Sequence, residues 1–212
     1  DSLIVACKDK IESHYENYQK KNIGKINPNL QLEGKVSYED DNFLIITISE
    51  ILEYGSWHYS SSSVIFKKTE GQKFERIIPD QADSTTGPNL DQGLAYDERI
   101  NGSPYYIGDL TGNQIKDFIF ESSTSVRSTN YNKYSFYTSK NNSLQKSTLK
   151  FNALIDDGCG DIDSIRVDEN FYPPLIIVKS IKIKCDIETG VKMSIPALEN
   201  IVYQWRENEF IQ

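Results

Sequence analysis

The stretch Asn42-Phe43-Leu44-Ile45-Ile46-Thr47-Ile48-Ser49-Glu50-Ile51-Leu52 decides the fold class. Branching at Cβ stiffens isoleucine and threonine against helix and suits them to a pleated sheet, so the run predicts a strand. The same signature recurs on both sides. Leu32–Tyr38 alternates weakly, and Val64-Ile65-Phe66 follows a run of four serines, Ser60–Ser63, that reads as a low-complexity loop. Glu70-Gly71-Gln72-Lys73 predicts a hairpin turn into a strand over Phe74–Ile78. Pro79–Tyr96 is long, polar and without periodicity, the pattern of a surface or functional loop.

Beyond it, strands are predicted at Tyr105–Ile107, Phe118–Glu121, Tyr134–Thr138 and Leu149–Ile155. Asp156-Asp157-Gly158-Cys159-Gly160-Asp161-Ile162-Asp163 reads as an acidic turn. Leu175–Val178, the Ile181/Ile183/Cys185 alternation, Val191–Ile195 and a closing hairpin of Val202–Trp205 with Phe210–Ile211 complete the series. Short strands at regular spacing predict an all-β fold, mainly antiparallel and propeller-like or sandwich. No clean repeat marks it as a full propeller.

One helix is expected ahead of the sheets. Ile4, Cys7, Ile11, Tyr15 and Tyr18 recur at spacings of three and four, with Lys8, Asp9, Glu12, Glu16 and Lys20 facing away. The expected organisation is therefore an N-terminal helix over 1–25, packed on a single β-rich domain over 26–212.

Composition narrows the function. The 212 residues carry a formal charge of −8 and 13 tyrosines. The charge argues against nucleic acid, which needs a basic stripe to neutralise phosphates, and suits a basic protein partner or a cation. No apolar run is long enough to span a bilayer. Ile4-Val5-Ala6-Cys7 has the look of a bacterial lipobox that would lipidate Cys7, although Asp1 interrupts the apolar segment it needs. Cys159 and Cys185, 26 residues apart in the β-rich third, form the expected disulfide, whose loop would contribute roughly 3–4 kcal/mol. Three buried free thiols is the alternative.

The chemistry concentrates in Gly108-Asp109-Leu110-Thr111-Gly112-Asn113-Gln114-Ile115-Lys116-Asp117-Phe118-Ile119-Phe120. Counting Asp109 as position 1, Thr111 and Asn113 stand at 3 and 5, the Ile115 carbonyl at 7 and Asp117 at 9. That is the order in which one loop wraps a hard cation such as Ca²⁺. Position 6, where the sharp turn wants glycine, is Gln114, and position 12 is Phe120 rather than a bidentate glutamate. The same residues also fit a turn whose polar side chains bond their own backbone.

Asp109-Leu110-Thr111-Gly112-Asn113, with Asp117-Phe118-Ile119 behind it, resembles the D-L-N-G-D-G-x-x-D-hydrophobe unit of FG-GAP/VCBS-type repeats, departing at Thr111, Asn113 and Gln114. Those repeats are cation-binding loops between the strands of propeller blades. Tyr134-Ser135-Phe136-Tyr137 and Tyr203–Phe210 share the general look of small bacterial envelope proteins with one such loop. The best-known of these are propeller-like, calcium-binding inhibitors of lysozyme-type cell-wall hydrolases, and some are immunity proteins against secreted toxins. The resemblance implies a periplasmic or secreted inhibitor, possible lipid anchoring included, whose partner is a hydrolase or toxin.

Catalysis is poorly provided for. His14 and His58 are the only histidines, and no G-x-S-x-G occurs. Asp156, Asp157, Asp161, Asp163 and Asp168 form the densest acidic group, read as solvated surface, a second cation site or, last, a carboxylate pair for glycoside hydrolysis. Trp57 and Tyr59 in Gly55-Ser56-Trp57-His58-Tyr59, with Tyr105 and Tyr106, are the candidate partner-binding aromatics. A glycan-binding or adhesion module, with the same rings stacking on sugars, is the alternative.

Overall fold

The computed structural model describes residues 1–21, 29–53, 57–71, 73–79, 99–126, 129–140, 143–147, 149, 160–185, 192–196 and 200–212. It is mainly antiparallel β-sheet with one N-terminal helix, the expected class. No described helix is long and apolar enough to cross a membrane. The chain divides into two compact units. One holds Asp1–Tyr105, Phe120–Ser122 and Lys140–Lys146; the other holds Tyr106–Ile119, Ser123–Ser139 and Ser147–Gln212.

In the first unit, β1 (Asn29–Glu39), β2 (Phe43–Glu53), β3 (Trp57–Thr69) and β4 (Lys73–Ile77) form an antiparallel meander. The short β5 (Ile100–Asn101) continues the β4 edge of β3. Helix α1 (Ser2–Lys21) lays Ile11, with Leu3, Ile4 and Cys7, against Leu44, Ile46 and Ile48 of β2 and Val64 and Phe66 of β3. Gly34 permits this approach, because a Cβ there would overlap Ile4 and stand 2.9 Å from Ile48. Cys7 is half-buried in this contact, which raises its thiol pKa by desolvation.

The serine run differs from its reading as a loop. Ser60–Ser63 lies inside β3, paired residue for residue with Glu50–Thr47 of β2, and Ser62 and Ser63 are buried. Their hydroxyls are satisfied. Ser63 Oγ donates to the Gly102 carbonyl (2.7 Å) and shares a hydrogen bond with Thr47 Oγ1 (2.9 Å), which accepts from Ser37 (2.7 Å). Ser62 donates to Glu50 (3.2 Å) and accepts from Arg99 (3.0 Å). Small hydroxyls with partners can be buried in a strand that low complexity alone would leave in solvent.

The strands β6 (Ser103–Gly108), β7 (Asp117–Val126), β8 (Thr129–Lys140) and β9 (Ser143–Ser147) form a second sheet in sequence order. The connections are too short for parallel crossovers, so neighbours run antiparallel. A third sheet has the order β10 (Gly160–Asp168), β11 (Leu175–Cys185), β13 (Ile201–Arg206), β14 (Glu209–Ile211), with β12 (Lys192–Pro196) beside β11. Gly160–Asp163, read as part of an acidic turn, is strand here, with Gly160–Ile162 paired to β11 and Asp163 at a register shift. β13 and β14 meet at Glu207 and Asn208, both at positive φ (53° and 68°), the geometry of a tight two-residue hairpin turn. The core of the second unit gathers Leu110, Ile119, Phe136, Ile165, Ile176, Val178, Tyr203 and Phe210.

Candidate functional site

The segment between β6 and β7 folds around two carboxylates. Asp109 Oδ1 accepts the backbone N–H of Gly112 (2.7 Å) and Asn113 (3.0 Å), and Oδ2 accepts that of Gln114 (2.8 Å). Asp117, fully buried at the start of β7, accepts Leu110 N–H (2.9 Å) and Thr111 N–H (3.0 Å) on Oδ2 and Ser139 N–H (2.7 Å) on Oδ1. Asn113 closes the loop from both ends of its amide. Its Oδ1 accepts Ile115 N–H (2.7 Å), and its Nδ2 donates to the Ser139 carbonyl of β8 (3.1 Å). Ser139 Oγ also donates to the Lys116 carbonyl.

Two residues take the left-handed backbone this path requires, Gly112 (φ 78°) and Gln114 (φ 63°). Gln114 thus adopts the turn for which its position wants glycine. Gly112 is also sterically committed. A Cβ there would lie 2.9 Å from Pro173 Cγ and 3.6 Å from Tyr172 Cε1.

The electrostatics of the two carboxylates differ. Burial pushes Asp117 up to about 6, against the lowering effect of the Ser139, Thr111 and Leu110 donors. The Thr111 hydroxyl is buried beside it, outside the geometry of a full hydrogen bond. Asp109 is part-exposed, and the single hydroxyl proton of Tyr172 lies between two acceptors, the Gly112 carbonyl (2.8 Å) and Asp109 Oδ2 (3.1 Å).

This inventory tests the cation expected at Asp109, Thr111, Asn113, Ile115 and Asp117. A carboxylate offers about four lone-pair positions; Asp109 gives three to backbone N–H groups, and the fourth competes with the nearer Gly112 carbonyl for the single Tyr172 hydroxyl proton. Asp117 has three engaged, and Asn113 Oδ1 turns to Ile115 N–H. Among the described residues no group of three or more Asp, Glu, His or Cys side chains is placed to hold a metal. Backbone N–H groups take three positions on each aspartate, while the Thr111 hydroxyl stays buried without a hydrogen-bond partner.

The partner-binding candidates separate. Tyr105 is 42% exposed on β6. Its neighbour Tyr106 is half-buried, packs on the core of the second unit and donates its hydroxyl to Glu169 Oε1 (2.8 Å). Burial, followed by that hydrogen bond, raises the Tyr106 pKa. Successive strand residues face opposite ways, so the two rings form no common platform. The side chains of Trp57, Tyr59 and Cys185, and Cys159 itself, lie outside what the structure describes, as does the first half of the acidic turn, 156–159.

The sequence reading passed over Phe171 and Tyr172. They occupy the turn after β10, are 50% and 65% exposed, and precede Pro173-Pro174. Two aromatics in a polar turn were the available signal. Their link to Asp109, 63 residues away for Tyr172, was not.

No family model, curated protein or solved structure matches this chain.

Proposed function

We propose that this protein is a non-catalytic recognition module that binds a basic protein partner and acts by occlusion, the partner being a cell-wall hydrolase or a secreted toxin. The observation that carries the reading is the locked 109–117 loop, in which six backbone N–H groups converge on two carboxylates. A loop already fixed loses little conformational entropy on binding, which is what an inhibitory contact needs. The acidic balance of −8 favours a basic partner, and the FG-GAP-like resemblance supplies the hydrolase or toxin class and an envelope location. An anchor at Cys7 would require that residue to leave its contact with the α1–sheet core.

Turnover of peptidoglycan by cationic muramidases, measured with and without the protein, tests this. Stoichiometric inhibition with a complex on gel filtration is the expected result. Neither complex nor inhibition across a panel of such enzymes overturns it. The exposed Tyr105 ring favours the second reading, a glycan-binding module, which a glycan array with clear signal and no protein partner would select.

A further inference from the structure

We infer that Ile115, Phe171 and Tyr172 form the docking surface of this module, and that its occupant is a basic protein segment carrying an arginine or lysine beside an apolar side chain. The inference rests on the recognition reading above and gives it a location. These three are among the most exposed large apolar residues described, at 46%, 50% and 65%. They sit on two segments that Tyr172 ties together through its hydroxyl bonds to Asp109 and the Gly112 carbonyl. An aromatic ring that is both exposed and held at its far end is pre-organised, and such rings carry most of the energy of an interface.

Charge selects the occupant. Asp109 is joined to Tyr172, and Asp168 and Glu169 open the turn that holds Phe171. The basic groups on these segments are Arg166, 70% exposed and 3.7 Å from Asp168, and the half-buried Lys116. Exposed apolar side chains on segments that carry these carboxylates repel acidic surfaces and favour a guanidinium or ammonium against the Tyr172 ring.

The test is an NMR titration of the full ¹⁵N-labelled chain with three probes: a short peptide of alternating arginine and leucine, its glutamate-for-arginine counterpart, and a tetramer of N-acetylglucosamine. The expected result is amide shifts confined to residues 109–116 and 168–173 with the basic peptide only, weakened by salt, and an affinity at least about tenfold lower in Tyr172→Ala. Phe171→Ser, which leaves the Tyr172 hydroxyl bonds and the 109–117 loop bonds intact, should give a similar loss with the remaining spectrum unchanged. Shifts elsewhere, equal response to the acidic peptide, no response, a stronger response to the sugar, or self-association through these residues would each overturn the inference. The muramidase assay separates the two levels. Inhibition that survives Tyr172→Ala and Phe171→Ser removes this surface and leaves the recognition reading. Peptide binding here with no inhibition removes the hydrolase and leaves the surface.

Discussion

Two buried carboxylates, one in each unit, are neutralised in opposite ways. Glu50 on β2 meets a full charge, with Arg99 Nη1 at 2.8 Å and both side chains nearly buried, and the Ser62 hydroxyl completes the triad. Asp117 meets only dipoles, three backbone N–H groups from Leu110, Thr111 and Ser139. A buried ion pair fails abruptly when one partner is removed. A carboxylate held by backbone donors instead keeps its loop in one conformation and retains an ability to titrate. The first device suits a scaffold and the second a loop that must present a surface.

The largest effect should come from the ion pair. Arg99→Ala leaves Glu50 buried without its charge partner and should cost about 3–5 kcal/mol in urea unfolding, with Arg99→Met/Glu50→Gln recovering most of it. A comparable loss from the single and double substitutions would show that the pair is not the source.

Asp117→Ala removes the acceptor of three N–H groups and should cost roughly 3 kcal/mol or more, since each buried donor left unpaired costs about 1–3. Asp117 also sharpens the comparison through pH. Its pKa is raised from 3.8 to about 6, so the folded chain holds this proton more tightly than the unfolded one. The group's contribution is therefore fully present below about pH 4 and is lost as pH rises through about 6, by roughly 3 kcal/mol at 1.36 kcal/mol per unit. Denaturation midpoints from pH 4 to 7, compared with Asp117→Ala, isolate that slope.

Much of this was readable beforehand, for physical reasons that differ by residue. The β-branched run at Ile45–Ile48 and the Ile4–Tyr15 spacing report local geometry, so β2 and α1 appear where the sequence puts them. The Asp109–Asp117 spacing likewise marked a loop that closes on itself through its side-chain oxygens. What they converge on was not legible. Oxygens at alternate positions serve a cation or a ring of N–H groups equally well, and the N–H of Ser139 comes from β8. Ser62 and Ser63 were misplaced for the same reason. Their burial depends on Arg99 and Gly102, 37 and 39 residues on. Tyr172 is the extreme case, since only the folded chain brings it to Asp109.

Two smaller effects probe the loop itself. Gly112→Ala forces a Cβ toward Pro173 at a φ of 78° and should cost about 1–2 kcal/mol in thermal or urea melts. Gln114→Gly relieves a positive φ of 63° but adds chain entropy to the unfolded state, so stability should change by less than about 1 kcal/mol.

The most direct measurement is amide hydrogen exchange of the full chain in chelator, followed by addition of millimolar Ca²⁺. The amides of Leu110, Thr111, Gly112, Asn113, Gln114 and Ser139 should be protected without any ion and unchanged by calcium. Rapid exchange in chelator that calcium slows would contradict it, and would return the two aspartates to the role of metal ligands.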